Sequence, residues 1–230
     1  MRKKTIAAIL GSTVLACTVG FSGTAVAAES TVDDEQFAWY VDNGVEPDVA
    51  QDLIEKFNSG VLPDSMTGTE PVSSTTSDEA GWIVTRDTFA DGSISISKLE
   101  TPQAAEPSGD ATAKSVGSCS SSVGGSGFAN YYDCAVTGSN GVYLDVEFRA
   151  DYTRVSNGAG IINAVRSPYA YAIGGQATTP VLRIDRSNGN MSDPARATAT
   201  SQYSSTATSF TAVVTLKVNG QQAWSEQNFS

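Results

Sequence analysis

Apolar and polar side chains alternate most regularly over residues 142–152. Val142, Leu144, Val146, Phe148, Ala150 and Tyr152 fill the even positions, and Asp145, Glu147, Arg149 and Asp151 fill odd ones. Successive side chains of a strand point to opposite faces, so this pattern predicts a strand with one buried and one wet face. Ala212, Val214, Leu216 and Val218 repeat it, and Asn219-Gly220 predicts a hairpin turn leading into Ala223-Trp224. Weaker strand patterns occupy Phe128–Val136, Gly160–Ile173, Val181–Arg186 and Ala195–Tyr203. Six to eight short strands, with turns of Gly, Asn and Ser and no long helical pattern between them, predict an antiparallel β-sandwich (Ig-like or similar) over 116–230.

Towards the N-terminus the period changes. Thr31 with Asp34 three residues on forms a helix-capping pattern, followed by an apolar stripe of Phe37, Tyr40 and Val41 that stops at Asn43-Gly44. Pro47 then sits where a first-turn proline belongs. Val49, Ala50, Leu53, Ile54 and Phe57 share one helical face, and Gly60 supplies the stop. From Asp64 to Ala80 only Met66 and Val72 offer apolar bulk, so a loop is expected. Trp82 to Leu99 returns to period two around Asp91-Gly92, which predicts a hairpin. Residues 101–115 (TPQAAEPSGDATAKS) hold no Leu, Ile, Val, Met or aromatic side chain and read as a linker. The expected fold is therefore mainly β: a C-terminal antiparallel β-sandwich with a small acidic α+β region over 29–100.

Charge separates the same two parts. The whole chain of 230 residues carries a formal net charge of -11. Residues 29–110 hold 18 Asp and Glu against three Lys and Arg, whereas 111–230 hold seven against eight. An acidic appendage on a near-neutral domain is the natural reading. With so few cations a nucleic-acid partner is not expected.

Residues 1–28 read as a secretory signal. Arg2, Lys3 and Lys4 precede a short apolar run from Ile6 to Val19, and Ala25-Val26-Ala27 offers a cleavage site after Ala27 or Ala28. The run is short for a transmembrane span, so none is expected after cleavage. Val14-Leu15-Ala16-Cys17 loosely resembles a lipobox, leaving an anchored lipoprotein as the alternative to release. Cleavage leaves Cys119 and Cys134, which in an exported chain are expected to form a structural disulfide. Closing a loop of about 15 residues contributes about 3 kcal/mol in the chain-entropy model. No C-x-x-C or adjacent base suggests a redox pair.

The candidate chemistry is sparse. The chain has no histidine, which removes Ser-His-Asp and Cys-His hydrolysis, histidine metal sites and imidazole acid-base work together. Asp145, Glu147 and Asp151 share the wet face of one strand at about 7 Å spacing, within reach of a two-carboxylate glycosidase. The preferred reading is that they are the ordinary charges of an exposed strand face, which normally looks like this. Ser95-Ile96-Ser97-Lys98 matches S-x-x-K, but on a predicted strand and without its companion motifs. No calcium loop, P-loop or dinucleotide fingerprint is present, so no cofactor and no metal is expected. The better lead is aromatic. Tyr131 and Tyr132 adjoin Cys134, while Tyr169 and Tyr171 share one face of any extended segment. Exposed, they offer a platform for a sugar ring or a protein contact; otherwise they belong to the core.

Several stretches resemble a set of uncharacterised secreted proteins of actinobacteria. They are Gly60-Val61-Leu62-Pro63-Asp64-Ser65 running into Pro71-Val72-Ser73, Phe89-Ala90-Asp91-Gly92-Ser93-Ile94-Ser95, the block from Cys119 to Tyr131-Tyr132-Asp133-Cys134, and Phe148-Arg149-Ala150-Asp151-Tyr152. In that set Trp stands more often where this chain has Pro63. The resemblance covers most of the chain after the signal and implies export and architecture, but no activity.

Taken together these observations predict a secreted, non-enzymatic β-sandwich protein that binds an extracellular or cell-envelope glycan or protein through Tyr131, Tyr132, Tyr169 and Tyr171. Two alternatives remain: an acidic pro-segment that masks the β domain until proteolysis in the linker, and a carboxylate-dependent glycan hydrolase. The intact mass of the protein recovered from culture medium tests export and cleavage. A chain beginning at Ala28 or Glu29 that gains two hydrogens on reduction is expected. A chain beginning within 101–115 favours the pro-segment.

Overall fold

The computed structural model describes residues 31–102, 119–124, 127–141, 143–156 and 158–230. The signal-like segment 1–28, with Cys17, and residues 103–115 of the expected linker lie outside the described residues. Helices α1 (Val32–Asp42) and α2 (Pro47–Asn58) are followed by a 3-10 turn at Asp64–Met66. Then come β1 (Ser73–Glu79), β2 (Trp82–Thr88), β3 (Ile94–Glu100), β4 (Ser120–Gly124), β5 (Phe128–Ser139), β6 (Leu144–Val155) and β7 (Gly160–Ala172). The chain ends with β8 (Gln176–Ala177), β9 (Val181–Arg186), β10 (Asn188–Gly189), β11 (Ala195–Ser204), β12 (Ser209–Val218) and β13 (Ala223–Phe229).

The strands form two antiparallel sheets packed face to face. The larger runs β1-β2-β3-β5-β6-β7-β10 with β4 also on β5; the smaller runs β13-β12-β11-β8 with β9 also on β11. Between them lie the side chains that alternation assigned to the core: Leu144, Val146, Phe148, Ala150 and Tyr152 from β6 and Ala212, Val214, Leu216 and Val218 from β12, all buried. Ala195, Ala197 and Ala199 of β11 complete the layer. The Asn219-Gly220 turn closes as a four-residue loop, in which the Asn219 carboxamide oxygen accepts the N–H groups of Gln221 (2.9 Å) and Gln222 (2.8 Å).

Both helices form where their caps predict. Thr31 and Asp34 make the reciprocal capping box, and Pro47 opens α2. At the other end of α1, Arg86 donates to the backbone carbonyl of Asn43, where a cation also suits the helix dipole. The helices lie on the outer face of the larger sheet, burying Tyr40, Ala50, Leu53 and Ile54 against Val84, Ile94 and Ile96. Phe57, at the end of α2, instead reaches the main core and stacks on Tyr143 with ring centroids 3.8 Å apart.

One segment departs from expectation. Within the expected loop 64–80 the chain forms β1, whose seven residues are all exposed. A strand with no apolar side chain leaves no periodic signal. It exists because β2 offers seven consecutive backbone partners, from Thr88 opposite Ser73 to Trp82 opposite Glu79.

The two charge-distinct parts of the chain share the larger sheet, through β3 and β5 pairing from Ile96–Ser139 to Leu99–Val136. The expected disulfide joins Cys119 to Cys134. Beside it, β3 stops and β4 takes over along the same edge of β5. The Glu100 carboxylate fills that gap: Oε1 accepts the Cys119 N–H (3.1 Å) and Oε2 the Ala135 N–H (3.0 Å), with Arg149 Nη1 also on Oε2 at 3.0 Å. Backbone groups that the ladder leaves unpaired are thereby satisfied. Glu100→Ala removes all three acceptor contacts and is expected to lower unfolding free energy by about 2–4 kcal/mol. The exposed Glu79→Ala is expected to change it by less than about 0.5 kcal/mol. Urea unfolding of the two variants checks this.

Candidate binding site

Two β-bulges decide where the candidate tyrosines point. In β7, Arg166 pairs with Arg149 but Tyr169 pairs with Glu147, so Ser167 and Pro168 together oppose Phe148. Ser167 takes the left-handed backbone conformation, with φ 53°. A proline, which cannot donate to the ladder, is tolerated at such a site. The extra residue reverses the facing of everything beyond it. Before the bulge Val165 points inward and Arg166 outward. After it Ala170 and Ala172 pack against the core, and Tyr169 and Tyr171 stand on the outer face, 58% and 49% exposed.

The bulge in β5 works likewise. Tyr131 pairs with Tyr152 and Cys134 with Ala150, leaving Tyr132 and Asp133 opposite Asp151, with Asp133 at φ 55°. Tyr131 turns inward and stacks on Tyr152, centroids 4.6 Å apart. Tyr132 stays exposed. The four tyrosines thus divide: Tyr169 and Tyr171 share an outer groove, Tyr131 is part of the packing, and Tyr132 lies at the β5 bulge beside the disulfide.

The groove has a volume of about 400 Å³. Tyr169 and Tyr171 form part of its lining with Asp145, Glu147, Lys98 and Trp39. Register explains the set, because Tyr171 is opposite Asp145 and Tyr169 opposite Glu147. Thr137 of β5 lies opposite both Glu147 and Lys98. Trp39 comes from α1, which rides on the neighbouring β2–β3 surface. Trp39 and Lys98 were missed by sequence reasoning. Trp39 lies outside the apolar stripe that marks α1, and Lys98 drew notice only through S-x-x-K. On β3 that motif falls apart: Ser95 and Ser97 are buried on the inner face and Lys98 is exposed on the outer one.

The three wet-face carboxylates also divide. Asp145 and Glu147 line the groove; Asp151 does not, being held by Arg166 through Nη1 (2.8 Å to Oδ2) and Nη2 (2.8 Å to Oδ1). Desolvation raises the Asp145 carboxyl above its ordinary value, against a hydrogen bond from Ser139 and the attraction of Lys98. For Asp151 desolvation is outweighed. Hydrogen bonds from Arg166 and the Asp133 N–H, with the Arg166 charge, hold its carboxyl below the ordinary range. Glu147 Oε1 lies 3.5 Å from Arg149 Nε. An aromatic pair flanked by two carboxylates and an ammonium can stack on an apolar ring face while hydrogen-bonding its hydroxyl rim. Among the described residues no cluster of three or more Cys, Asp or Glu is arranged to hold a metal ion.

No family model, no curated protein and no solved structure matches this chain. The reading therefore rests on its own residues.

The depressed Asp151 carboxyl has a stability consequence. Its contribution is complete above the unfolded value of about 3.9 and is lost as pH falls through the lower folded value. Asp151→Asn is therefore expected to be less stable than the parent at neutral pH, with the difference shrinking below about pH 4. Thermal unfolding across that range measures it.

Proposed function

We propose that this is an exported, non-enzymatic binding protein that captures an extracellular or cell-envelope glycan in the groove at Tyr169 and Tyr171. The observation that carries the reading is the bulge at Ser167-Pro168. It places two tyrosines on the wet face of a sheet, side by side with Asp145 and Glu147, where an unbroken register would have turned them inward. Such a placement gives up apolar burial, and sugar stacking is a use that offsets the loss. The signal-like segment and the Cys119–Cys134 disulfide support export. Among the described residues no helix is long and apolar enough to cross a membrane.

The two other readings are less well supported. As a removable pro-segment, the acidic region would have to surrender the β3–β5 pairing and the Glu100 contacts. The hydrolase reading rests on the Asp145 and Glu147 pair alone.

The test is retention on insoluble envelope polysaccharide. Tyr169→Ala combined with Tyr171→Ala is expected to weaken retention at least tenfold. The unfolding free energy should change by no more than about 0.5 kcal/mol, because both side chains are largely exposed. Unchanged retention overturns the groove assignment; release of reducing ends by the parent overturns the non-enzymatic reading.

A further inference from the structure

We propose that a second cleft, on the inner side of the larger sheet, receives an extended lysine- or arginine-bearing segment of a partner protein. The cleft, about 640 Å³, opens where the smaller sheet stops short of the larger one. β13 is the terminal strand of the smaller sheet among the described residues, and β1 and β2 continue beyond it with Ser74, Thr76, Thr85 and Asp87 lining the cleft. One further strand beside β13 would lie over these residues and complete the sandwich.

The edge of β13 is built for such a neighbour. Ser230 exchanges both backbone bonds with Thr211. By antiparallel alternation, the N–H and C=O groups of Phe229, Gln227 and Ser225 point away from β12. Side chains stand in where a strand is missing: the Ser97 hydroxyl donates to the Ser225 carbonyl (2.9 Å), and Asn228 Oδ1 accepts the Phe229 N–H (2.8 Å). An entering strand would pair with the Gln227 N–H and C=O between these two contacts and displace the Ser97 and Asn228 side chains from the others.

The lining states the charge of the occupant. Glu70, Asp78, Asp87 and Glu226 contribute to it, and among the described lining residues there is no Lys or Arg. Glu226 is satisfied by Lys217 (2.6 Å) and the Trp224 indole N–H (2.7 Å), but no salt bridge reaches Asp87 among the described residues. Desolvation raises the Asp87 carboxyl; a hydrogen bond from Ser74 opposes the shift and the Glu226 charge adds to it, so a cation placed there would draw it back down. Trp224 in the wall offers an apolar surface for the methylene stem of a long basic side chain. The all-polar, acidic β1 argues against an apolar strand as occupant.

Calorimetric titration of the purified full chain with an eight-residue peptide of alternating lysine and threonine, capped at both ends, tests the proposal. Saturable binding that weakens with added salt is expected, as is a loss of at least tenfold on Asp87→Asn and on Thr76→Lys. Thr76 is exposed, so the second variant reports even if the first perturbs folding. Equal binding of the glutamate-for-lysine peptide, or no effect of either variant, overturns the proposal. Spermidine binding as tightly as the peptide overturns the extended segment. Because the tyrosine groove lies on the opposite face of the sheet, loss of glycan retention in Tyr169→Ala, Tyr171→Ala leaves this test unaffected.

Discussion

A single inserted residue in β7 organises the candidate site. Strand side chains alternate with period two, so one extra residue exchanges the inner and outer sets for the remainder of the strand. Without the bulge at Ser167-Pro168, the pairing of Arg166 with Arg149 would continue to Pro168 with Glu147 and put Ala170, not Tyr171, on the wet face. The core side of the sheet would then have to admit two tyrosines opposite the small alanines of β11. The bulge instead gives the core Ala170 and Ala172 and gives the solvent Tyr169 and Tyr171. The positive φ of Ser167 and the proline beside it belong to that exchange.

The helices complete what the bulge begins. α1 and α2 cover Val84, Ile94 and Ile96 on β2 and β3, and beside them Glu147 of β6 and Tyr169 and Tyr171 of β7 line the groove. A flat sheet surface gives a ligand little to grip; a helix laid along one border turns it into a groove, with Trp39 in one wall. The acidic N-terminal region is thus part of the site's construction. Its junction to the rest of the sheet does not rely on long-range charge, which salt screens beyond roughly 8 Å. It relies on four paired positions between β3 and β5, on Glu100 spanning the step from β3 to β4, and on Phe57, Met66 and Leu99 packed into the main core.

Most of the fold was legible in local pattern. The alternation over 142–152 and 212–218, the Thr31–Asp34 box, Pro47 and the Asp91-Gly92 turn each encode an element through nearest-neighbour chemistry. β1 was illegible because its stability comes from a partner strand and not from burial of its own side chains. The site was legible only in halves. Tyr169 and Tyr171 declared a common face, but which face depends on where the register slips, and period-two reasoning has no term for a bulge. The same limit applies to Tyr131, whose turn onto Tyr152 follows from the Asp133 bulge. Trp39 and Lys98 are 59 residues apart in sequence and meet only because α1 rests beside β3.

The two proposed sites lie on opposite faces of one sheet, and β3 separates them by alternation. Ile96 and Lys98 face the helices and the tyrosine groove, while Ser95 and Ser97 face β13. Small hydroxyl side chains on the inner face let β13 approach closely enough for Ser97 to take the Ser225 carbonyl, fixing where the smaller sheet ends. If that contact were replaced by a bulky apolar side chain, β13 would be pushed away and the cleft reshaped, while the outer groove kept its register. The two faces are therefore separable in construction although they share a strand. The proposed groove and the proposed cleft beside β13 share no lining side chain.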